Sequence, residues 1–198
     1  MLITEEMLRK HGATEIFYQP GDFIFEENTT PNYYYQITQG EIKLNNYDDE
    51  GKEFIQNILS TGDSLAESML FLDRKYPVNA EALSTCTVLK LSKENFFRLI
   101  EEVPGMYRHV CSKISDNMYS KCILMRKISC RSASERLQEI LQMLKDEQGH
   151  QTPFSFTVPF TRQQLASLTG LCVETTIRTI KKMERQKILR IKDRKILY

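Results

Sequence analysis

One segment of the sequence strongly restricts the fold. Residues 106–129 contain neither proline nor glycine, and their apolar side chains recur at heptad spacing, which predicts one long helix over residues 105–129. One heptad position holds Tyr107, Ile114, Lys121 and Ile128, and the other holds Cys111, Met118 and Met125. A helix of about 25 residues is longer than a small domain needs, so its apolar stripe indicates a seam with a second copy of the chain. The alternative is a helix that packs only on its own domain.

The long helix separates two parts of opposite charge. The chain has 198 residues and a formal net charge of +1, yet residues 131–198 carry 13 Lys and Arg against 7 Asp and Glu. Residues 1–130 carry 14 against 19. A basic part attached to an acidic body favours a nucleic-acid-binding module joined to a regulatory domain. A basic surface that is merely solvated gives the same balance.

The cysteines and the hydropathy pattern indicate where the protein works. The five cysteines are scattered and never spaced C-x-x-C, which argues against a disulfide framework and a zinc ribbon. No segment approaches the roughly 18 to 20 consecutive apolar residues of a membrane span, and the N-terminus lacks the basic-then-apolar order of a signal peptide. We therefore expect a cytoplasmic protein with free thiols and no membrane partner.

Residues 16–91 have the pattern of an all-β domain. Short apolar runs alternate with turn signals such as Thr61-Gly62-Asp63, which predicts a sandwich or barrel of several short strands. Residues 33–37 and 42–44 are expected to pair with each other. A third strand over residues 54–59 is expected to follow a charged hairpin loop.

The C-terminal part predicts a helix-turn-helix followed by a wing. After a helix over residues 133–148, Thr161-Arg162-Gln163-Gln164 has the form of a capping box, which marks the start of a further helix. Gly170 supplies the positive φ of a sharp turn, and the next helix is expected over residues 173–186. Residues 188–198 have the pattern of a two-stranded basic hairpin.

The second of these helices carries side chains that suit base recognition. Glu174, Ile177, Arg178 and Lys181 lie at positions i, i+3, i+4 and i+7, so they share one face. An arginine can donate two hydrogen bonds to guanine in the major groove, and a glutamate can accept one from cytosine. The alternative is an exposed salt bridge between Glu174 and Arg178, which is common on helix surfaces.

Several motifs together resemble one known family. They are Thr161-Arg162-Gln163-Gln164-Leu165-Ala166, Gly170-Leu171-Cys172-Val173-Glu174-Thr175-Thr176-Ile177-Arg178, Tyr18-Gln19-Pro20-Gly21-Asp22, Gly40-Glu41-Ile42, Asp49-Glu50-Gly51-Lys52-Glu53 and Gly62-Asp63-Ser64-Leu65-Ala66-Glu67. The sequence is similar to the Crp/Fnr family of bacterial transcription regulators over nearly its whole length. The resemblance implies an α+β fold with a β-roll of jelly-roll type, like that of cyclic-nucleotide-binding domains, in residues 1–104. It further implies a dimerisation helix in residues 105–130 and a winged helix-turn-helix in residues 131–198.

The resemblance also implies partners and DNA contacts. A homodimer would place two recognition helices on a palindromic site of double-stranded DNA, with half-sites about 34 Å apart that contain TGA. Glu174 and Arg178 would read the G·C pair, and Ile177 would touch a thymine methyl group, although its spacing from Val173 and Ile180 also suits the core. Phosphate contacts are expected from Arg162, Gln163, Thr175, Lys181, Arg194 and Lys195. In this family, RNA polymerase is a further partner of activators.

The effector position departs from the cyclic-AMP-binding members of the family. In those members a Gly-Glu pair and an Arg-Ser-Ala run hold the phosphate, whereas the corresponding residues here are Ala66-Glu67 and Tyr76-Pro77-Val78. The missing arginine removes a charge-assisted contact, so we expect no high-affinity binding of cyclic AMP. Lys121 and Cys122 replace small hydroxyl residues that meet the adenine. Lys121 either fixes the register of the helix seam or contacts an anionic ligand.

The residues give no support to a cofactor or to catalysis. No cysteine precedes Cys86, which argues against the N-terminal iron–sulfur cluster of oxygen-sensing members, and three histidines offer no convincing haem or metal site. We find no catalytic set, so we expect no enzyme activity.

Two alternatives stay open, namely a small-molecule effector of unknown identity and a sensor that acts through protein association and binds DNA only nonspecifically. Cys172, at the expected start of the recognition helix, is either an inert turn residue or an oxidation-sensitive thiol.

Overall fold

The computed structural model describes residues 3–128, 132–149 and 152–198, which form two compact units. The first unit is Met1–Tyr119 and the second is Ser120–Tyr198, and each has its own hydrophobic core. None of the described helices combines the length and the apolar composition that crossing a membrane requires.

The first unit is built on two antiparallel sheets that share a core. Its strands are β1 (Thr14–Tyr18), β2 (Phe23–Phe25), β3 (Tyr33–Gln39), β4 (Glu41–Tyr47), β5 (Glu53–Ser60), β6 (Asn79–Ala82) and β7 (Cys86–Ser92). One sheet has the order β1-β7-β3 and the other has the order β2-β6-β4-β5. Ile37 and Val88 from the first sheet pack with Ile42 and Ala80 from the second. The predicted β-roll is therefore confirmed.

Gly40 carries the chain from one sheet to the other. β3 pairs with β7, whereas β4 pairs with β5 and β6, so the predicted pairing of residues 33–37 with residues 42–44 is wrong. Gly40 has a φ of +95°, and a Cβ atom there would lie 2.6 Å from both Cys86 Sγ and the carbonyl oxygen of Thr85. Only glycine fits so close an approach at this φ, and it lets the chain change sheets within one residue.

Helices cover the outer face of the first sheet. They are α1 (Glu5–Lys10), α2 (Lys93–Glu102) and the beginning of α3 (Met106–Ile128). A second core lies beneath them, in which Leu89 of β7 meets Phe96 of α2 and Val110 of α3. The ring of Tyr34 stacks on Phe96 with 4.9 Å between the ring centroids. The long helix α3 confirms the predicted helix from Met106 to Ile128, and residue 129 of that prediction lies outside the described residues. Helices α1 and α2 are additions to the predicted β-domain.

The second unit is a helix-turn-helix with a two-stranded wing, as predicted. Its elements are α4 (Ala133–Glu147), α5 (Arg162–Thr169), α6 (Val173–Arg185), β8 (Arg190–Lys192) and β9 (Lys195–Leu197). Leu141 of α4, Leu165 of α5, Ile180 of α6 and Ile196 of the wing meet in one core. Because all of these elements contribute to one core, the core fixes the orientation of α6 within the unit.

Candidate nucleic-acid interface and effector position

Local hydrogen bonds fix both ends of α5. The hydroxyl of Thr161 accepts a hydrogen bond from the backbone N–H of Gln164 at 3.1 Å, and the Gln164 side chain accepts one from the Thr161 N–H at 2.8 Å. This capping box satisfies two of the donors that a helix start leaves free. At the other end, Gly170 has a φ of +66° and begins the turn into α6. The predicted capping box and turn glycine are confirmed.

α6 has one buried face and one charged face. Thr176, Ile180 and Met183 are buried. The opposite face lines a groove of about 570 Å³, which is formed by Glu174, Ile177, Arg178, Lys181, Lys182 and Arg185. Ile177 is half-buried in this groove, so the structure places it beside Glu174 and Arg178.

Glu174 and Arg178 are exposed and do not pair with each other. They lie four residues apart on α6, a spacing at which opposite charges commonly meet. Among the residues that the structure describes, however, no salt bridge joins them. The surface ion pair that the sequence allows is therefore absent from this helix, and both charged groups are open to a partner in the groove.

Lys182 and Arg185 extend the charged face beyond the contacts that the family resemblance implies. Both are exposed and both line the same groove. The sequence signal for them is periodicity, because Lys182 lies four residues after Arg178 and Arg185 lies four residues after Lys181. The lining of the groove thus contains four cations and one carboxylate.

A second basic cleft lies between the start of α5 and the wing. It has a volume of about 480 Å³ and is lined by residues 157–162 and 194–196. Arg162 Nη1 donates a hydrogen bond to the carbonyl oxygen of Arg194 at 3.0 Å. The structure thus brings together three of the predicted phosphate contacts, Arg162, Arg194 and Lys195.

The other predicted phosphate contacts lie on the two helices. Gln163 and Lys181 are exposed, and Thr175 is half-buried near the start of α6. Cys172 directly precedes α6 and makes no capping hydrogen bond with its side chain. Its Sγ lies 3.0 Å from Thr175 Oγ1, and hydrogen bonding with Thr175 lowers the pKa of the Cys172 thiol.

At the effector position, both carboxylate oxygens of Glu67 accept hydrogen bonds from other residues of the same chain. Ala66 has a φ of +48°, a left-handed conformation that favours glycine, and it precedes the 3-10 helix Glu67–Phe71. Glu67 is only 3% exposed. Ser64 Oγ donates to its Oε2 at 2.9 Å, and Asn117 Nδ2 of α3 donates to its Oε1 at 3.0 Å.

Tyr76 fills the interior of the roll where the family resemblance implies an arginine. It is 3% exposed, and its ring stacks on Phe25 with 3.8 Å between the centroids and 11° between the ring planes. Burial raises the pKa of Tyr76, so its hydroxyl is neutral at physiological pH. Pro77 is exposed. Lys121 and Cys122 are exposed residues of α3 in the second unit.

Most of the predicted seam residues on α3 are exposed. Met118 and Met125 are 65% and 67% exposed, and Tyr107 and Cys111 are also exposed. Ile114 differs, because it packs partly against the core beneath the first sheet. The side chain of Ile128 lies outside the described residues. One face of the helix therefore holds its first part to the first unit, while Tyr107, Met118 and Met125 leave large apolar side chains exposed among the described residues.

Two family models match the chain. Residues 15–103 match the model of the cyclic nucleotide-binding domain, and residues 135–198 match the Crp-like helix-turn-helix domain. The first match contains the β-strands of the first unit apart from Thr14, the first residue of β1, and the second contains the helix-turn-helix and the wing.

Curated relatives and a solved structure agree with these matches. The nitrogen fixation regulation protein FixK of Bradyrhizobium diazoefficiens is 26% identical over 178 residues, which are 89% of this chain and 74% of FixK. The cAMP-activated global transcriptional regulator CRP of Haemophilus influenzae is 24% identical over 165 residues, which are 82% of this chain and 73% of CRP. The c-di-GMP responsive global regulator CLP of Xanthomonas campestris has the same fold, with a TM-score of 0.83 at 18% identity over 97% of this chain and 96% of CLP. The chain, with its β-roll, long helix and winged helix-turn-helix, belongs to the Crp/Fnr family of transcription regulators.

Proposed function

We propose that this regulator binds a palindromic DNA site as a homodimer and reads that site with α6. The observation that carries the proposal is that Glu174 and Arg178 are both exposed, with no salt bridge to any described residue, in a groove whose other charged residues are all cations. The major groove of B-form DNA is wide enough to admit such a helix, and its phosphates attract the surrounding cations.

Base recognition would come from the centre of this face. Arg178 would donate two hydrogen bonds to O6 and N7 of a guanine, and Glu174 would accept one from the amino group of the paired cytosine. Ile177 lies between them and would contact a thymine methyl group. By the family resemblance, the half-site would contain TGA.

The remaining polar residues would position the helix on the DNA backbone. Arg162, Arg194 and Lys195 line one cleft, so they would grip phosphates beside the wing. Gln163, Thr175 and Lys181 would contact phosphates from the helices. Such contacts raise affinity for all sequences and do not distinguish bases.

The exposed apolar face of α3 would form the dimer seam. Met118 and Met125 are large apolar side chains that solvent would otherwise surround. In this assignment residues 1–104 form the effector domain, residues 105–130 the dimerisation helix and residues 131–198 the DNA-binding domain. The two copies of α6 would then meet successive major grooves about 34 Å apart.

The effector position would not take cyclic AMP with high affinity. Tyr76 and its stacked partner Phe25 occupy the interior, and no arginine stands at the position that binds phosphate in cyclic-AMP-binding relatives. We expect the protein to act in the cytoplasm as a regulator rather than an enzyme, with RNA polymerase as the further partner that activation would require.

Selection from random DNA tests this function. The purified protein, with no ligand added, is mixed with a pool of random duplexes and the bound fraction is sequenced. We expect a TGA-containing palindrome. Weak binding without sequence preference, lost steeply as salt rises, would instead support a sensor that acts through protein association. Selection that occurs only with added cyclic AMP would refute the assignment of the effector position.

A further inference from the structure

Glu67 is a buried carboxylate that depends on neutral donors. Among the described residues no ion pair reaches it, and its two oxygens accept hydrogen bonds from Ser64 and Asn117. A buried charge that loses one of its donors is strongly destabilised. The hydrogen bond from Asn117 therefore holds α3 against the 3-10 helix that begins at Glu67.

Asn117 lies where α3 leaves the first unit. It is seven residues after Val110, so both residues lie on the same face of the helix. Val110 is fully buried and Ile114 is partly buried in the same core. The next residues, Met118 and Tyr119, are 65% and 69% exposed. The inward face of α3 thus ends at Asn117 within this unit.

The loop around Tyr76 is fastened on several sides. The Tyr76 N–H donates to the carbonyl oxygen of Thr29, and the Tyr76 carbonyl oxygen accepts from the Asn28 N–H, both at 2.9 Å. Asn46 Nδ2 donates to the carbonyl oxygen of Pro77 at 2.7 Å. These bonds, together with the stacking of Tyr76 on Phe25, fix the loop by contacts within its own unit.

We propose that these internal contacts take the place of a small-molecule effector, with Asn117 acting through Glu67 to hold α3 in the arrangement that binds specific DNA. Asn117 is thus a positioning residue, and the side chain of Tyr76 permanently occupies the interior of the β-roll where an effector would otherwise bind. The consequence for DNA rests on the proposed function. The attachment of α3 to the first unit does not depend on it, so the two can be tested apart.

Hydrogen–deuterium exchange of the α3 amides in the ligand-free full-length protein tests the attachment. We expect Asn117→Ala to speed exchange in α3 about tenfold, since a lost donor to a buried carboxylate changes local stability on this scale. Asn117→Asp should have a larger effect, because it places two carboxylates side by side. The control Asp116→Ala alters an exposed neighbour on the same helix and should leave exchange unchanged.

A swapped pair separates the hydrogen bond from a general loosening of the helix. In Glu67→Gln with Asn117→Asp, the new amide can donate to the new carboxylate while its oxygen still accepts from Ser64. This double variant should therefore exchange more slowly than Asn117→Asp alone. Exchange in Asn117→Ala as slow as in the wild type, or a swapped pair no better than Asn117→Asp, would overturn the attachment.

The same variants test the consequence for DNA. On the duplex selected by the wild type, without ligand, we expect Asn117→Ala to bind about tenfold more weakly and the swapped pair to recover most of this loss. Equal binding by the wild type and Asn117→Ala would refute the role of Asn117 while leaving the proposed function intact. Failure of the wild type to select any duplex would refute the proposed function, while the exchange data would still decide the attachment. If cyclic AMP raises the melting temperature of the wild type, the nucleotide binds, and Tyr76 does not permanently occupy the effector position.

Discussion

The guanidinium of Arg162, at the start of α5, donates a hydrogen bond to the carbonyl oxygen of Arg194, at the tip of the wing. The bond joins residues 32 positions apart and supports a tight turn in which Asp193 and Arg194 both have positive φ. An arginine has five N–H donors, so Arg162 can hold the wing and still contact a phosphate.

Arg162→Ala should weaken DNA binding without changing sequence preference. We expect affinity for the selected operator and for random DNA to fall by similar factors, and the slope of log affinity against log salt to shrink by about 1. Fluorescence anisotropy titrations at several salt concentrations measure both. Lys52→Ala, which removes an exposed cation from the first unit, is the control and should leave the slope unchanged. A defect confined to one base pair would contradict the assignment.

Arg178→Ala should relax specificity at one base pair. Loss of the bidentate contact is expected to cost about 1–3 kcal/mol on the operator and to remove the preference for the G·C pair. Arg178→Lys keeps the charge without the planar fork, so it should retain more affinity than Arg178→Ala while losing the same discrimination. Binding to operators that carry each of the four base pairs at this position is the measurement. Unchanged discrimination in Arg178→Ala would show that another residue reads the pair.

Gly40→Ala should destabilise the first unit more than a matched glycine substitution. Its Cβ would meet Cys86 Sγ and the Thr85 carbonyl oxygen, so we expect a loss of about 3 kcal/mol or more in the free energy of unfolding. Gly21 has a similar φ of +92° with nothing within 4 Å of its Cβ position, so Gly21→Ala should cost only about 1–2 kcal/mol. Urea denaturation compares the two. Equal losses would mean that the close approach to Cys86 relaxes freely.

Cys172 should react with iodoacetamide at a lower pH than an ordinary thiol. Hydrogen bonding with Thr175 lowers the pKa of the Cys172 thiol. The reactive thiolate therefore forms at a lower pH than it does in an ordinary cysteine. Thr175→Val removes the hydroxyl, and the midpoint of the rate against pH should then rise. The measurement follows alkylation of Cys172 by peptide mass spectrometry across a pH series. An identical midpoint in both proteins would exclude a role for the Thr175 hydroxyl.

The helix-turn-helix could be predicted from the sequence because its signals are local. Thr161 and Gln164 are three residues apart, and the capping box that they form needs no tertiary partner. Gly170 marks the turn by its conformational freedom alone. The charged face of α6 follows from helical periodicity, so the sequence alone places Glu174 and Arg178 on one face of the helix.

Contacts between distant residues could not be predicted in the same way. The sequence reveals the missing arginine, but it does not reveal that Tyr76 stacks on Phe25 or that Asn117 reaches Glu67, which is 50 residues away. The pairing of β3 with β7 likewise depends on partners far along the chain. Ile114 fits the heptad stripe, yet it packs partly on the core of the first unit. The sequence does not distinguish these two roles, because a dimer seam and a domain core both favour an apolar side chain.

The junction at Gly40 also bears on how the β-roll can change in length. β3 ends at Gln39 and β4 begins at Glu41, so a single residue joins strands of two different sheets. An insertion there would have to shift one strand, and a shift of one residue exchanges its core and surface faces. The hairpin between β4 and β5 has no such restriction, since a Cβ at Gly51 would meet nothing within 4 Å. Insertions and deletions among related proteins should therefore collect at that hairpin and avoid Gly40, which makes this glycine a fixed reference point for aligning distant sequences.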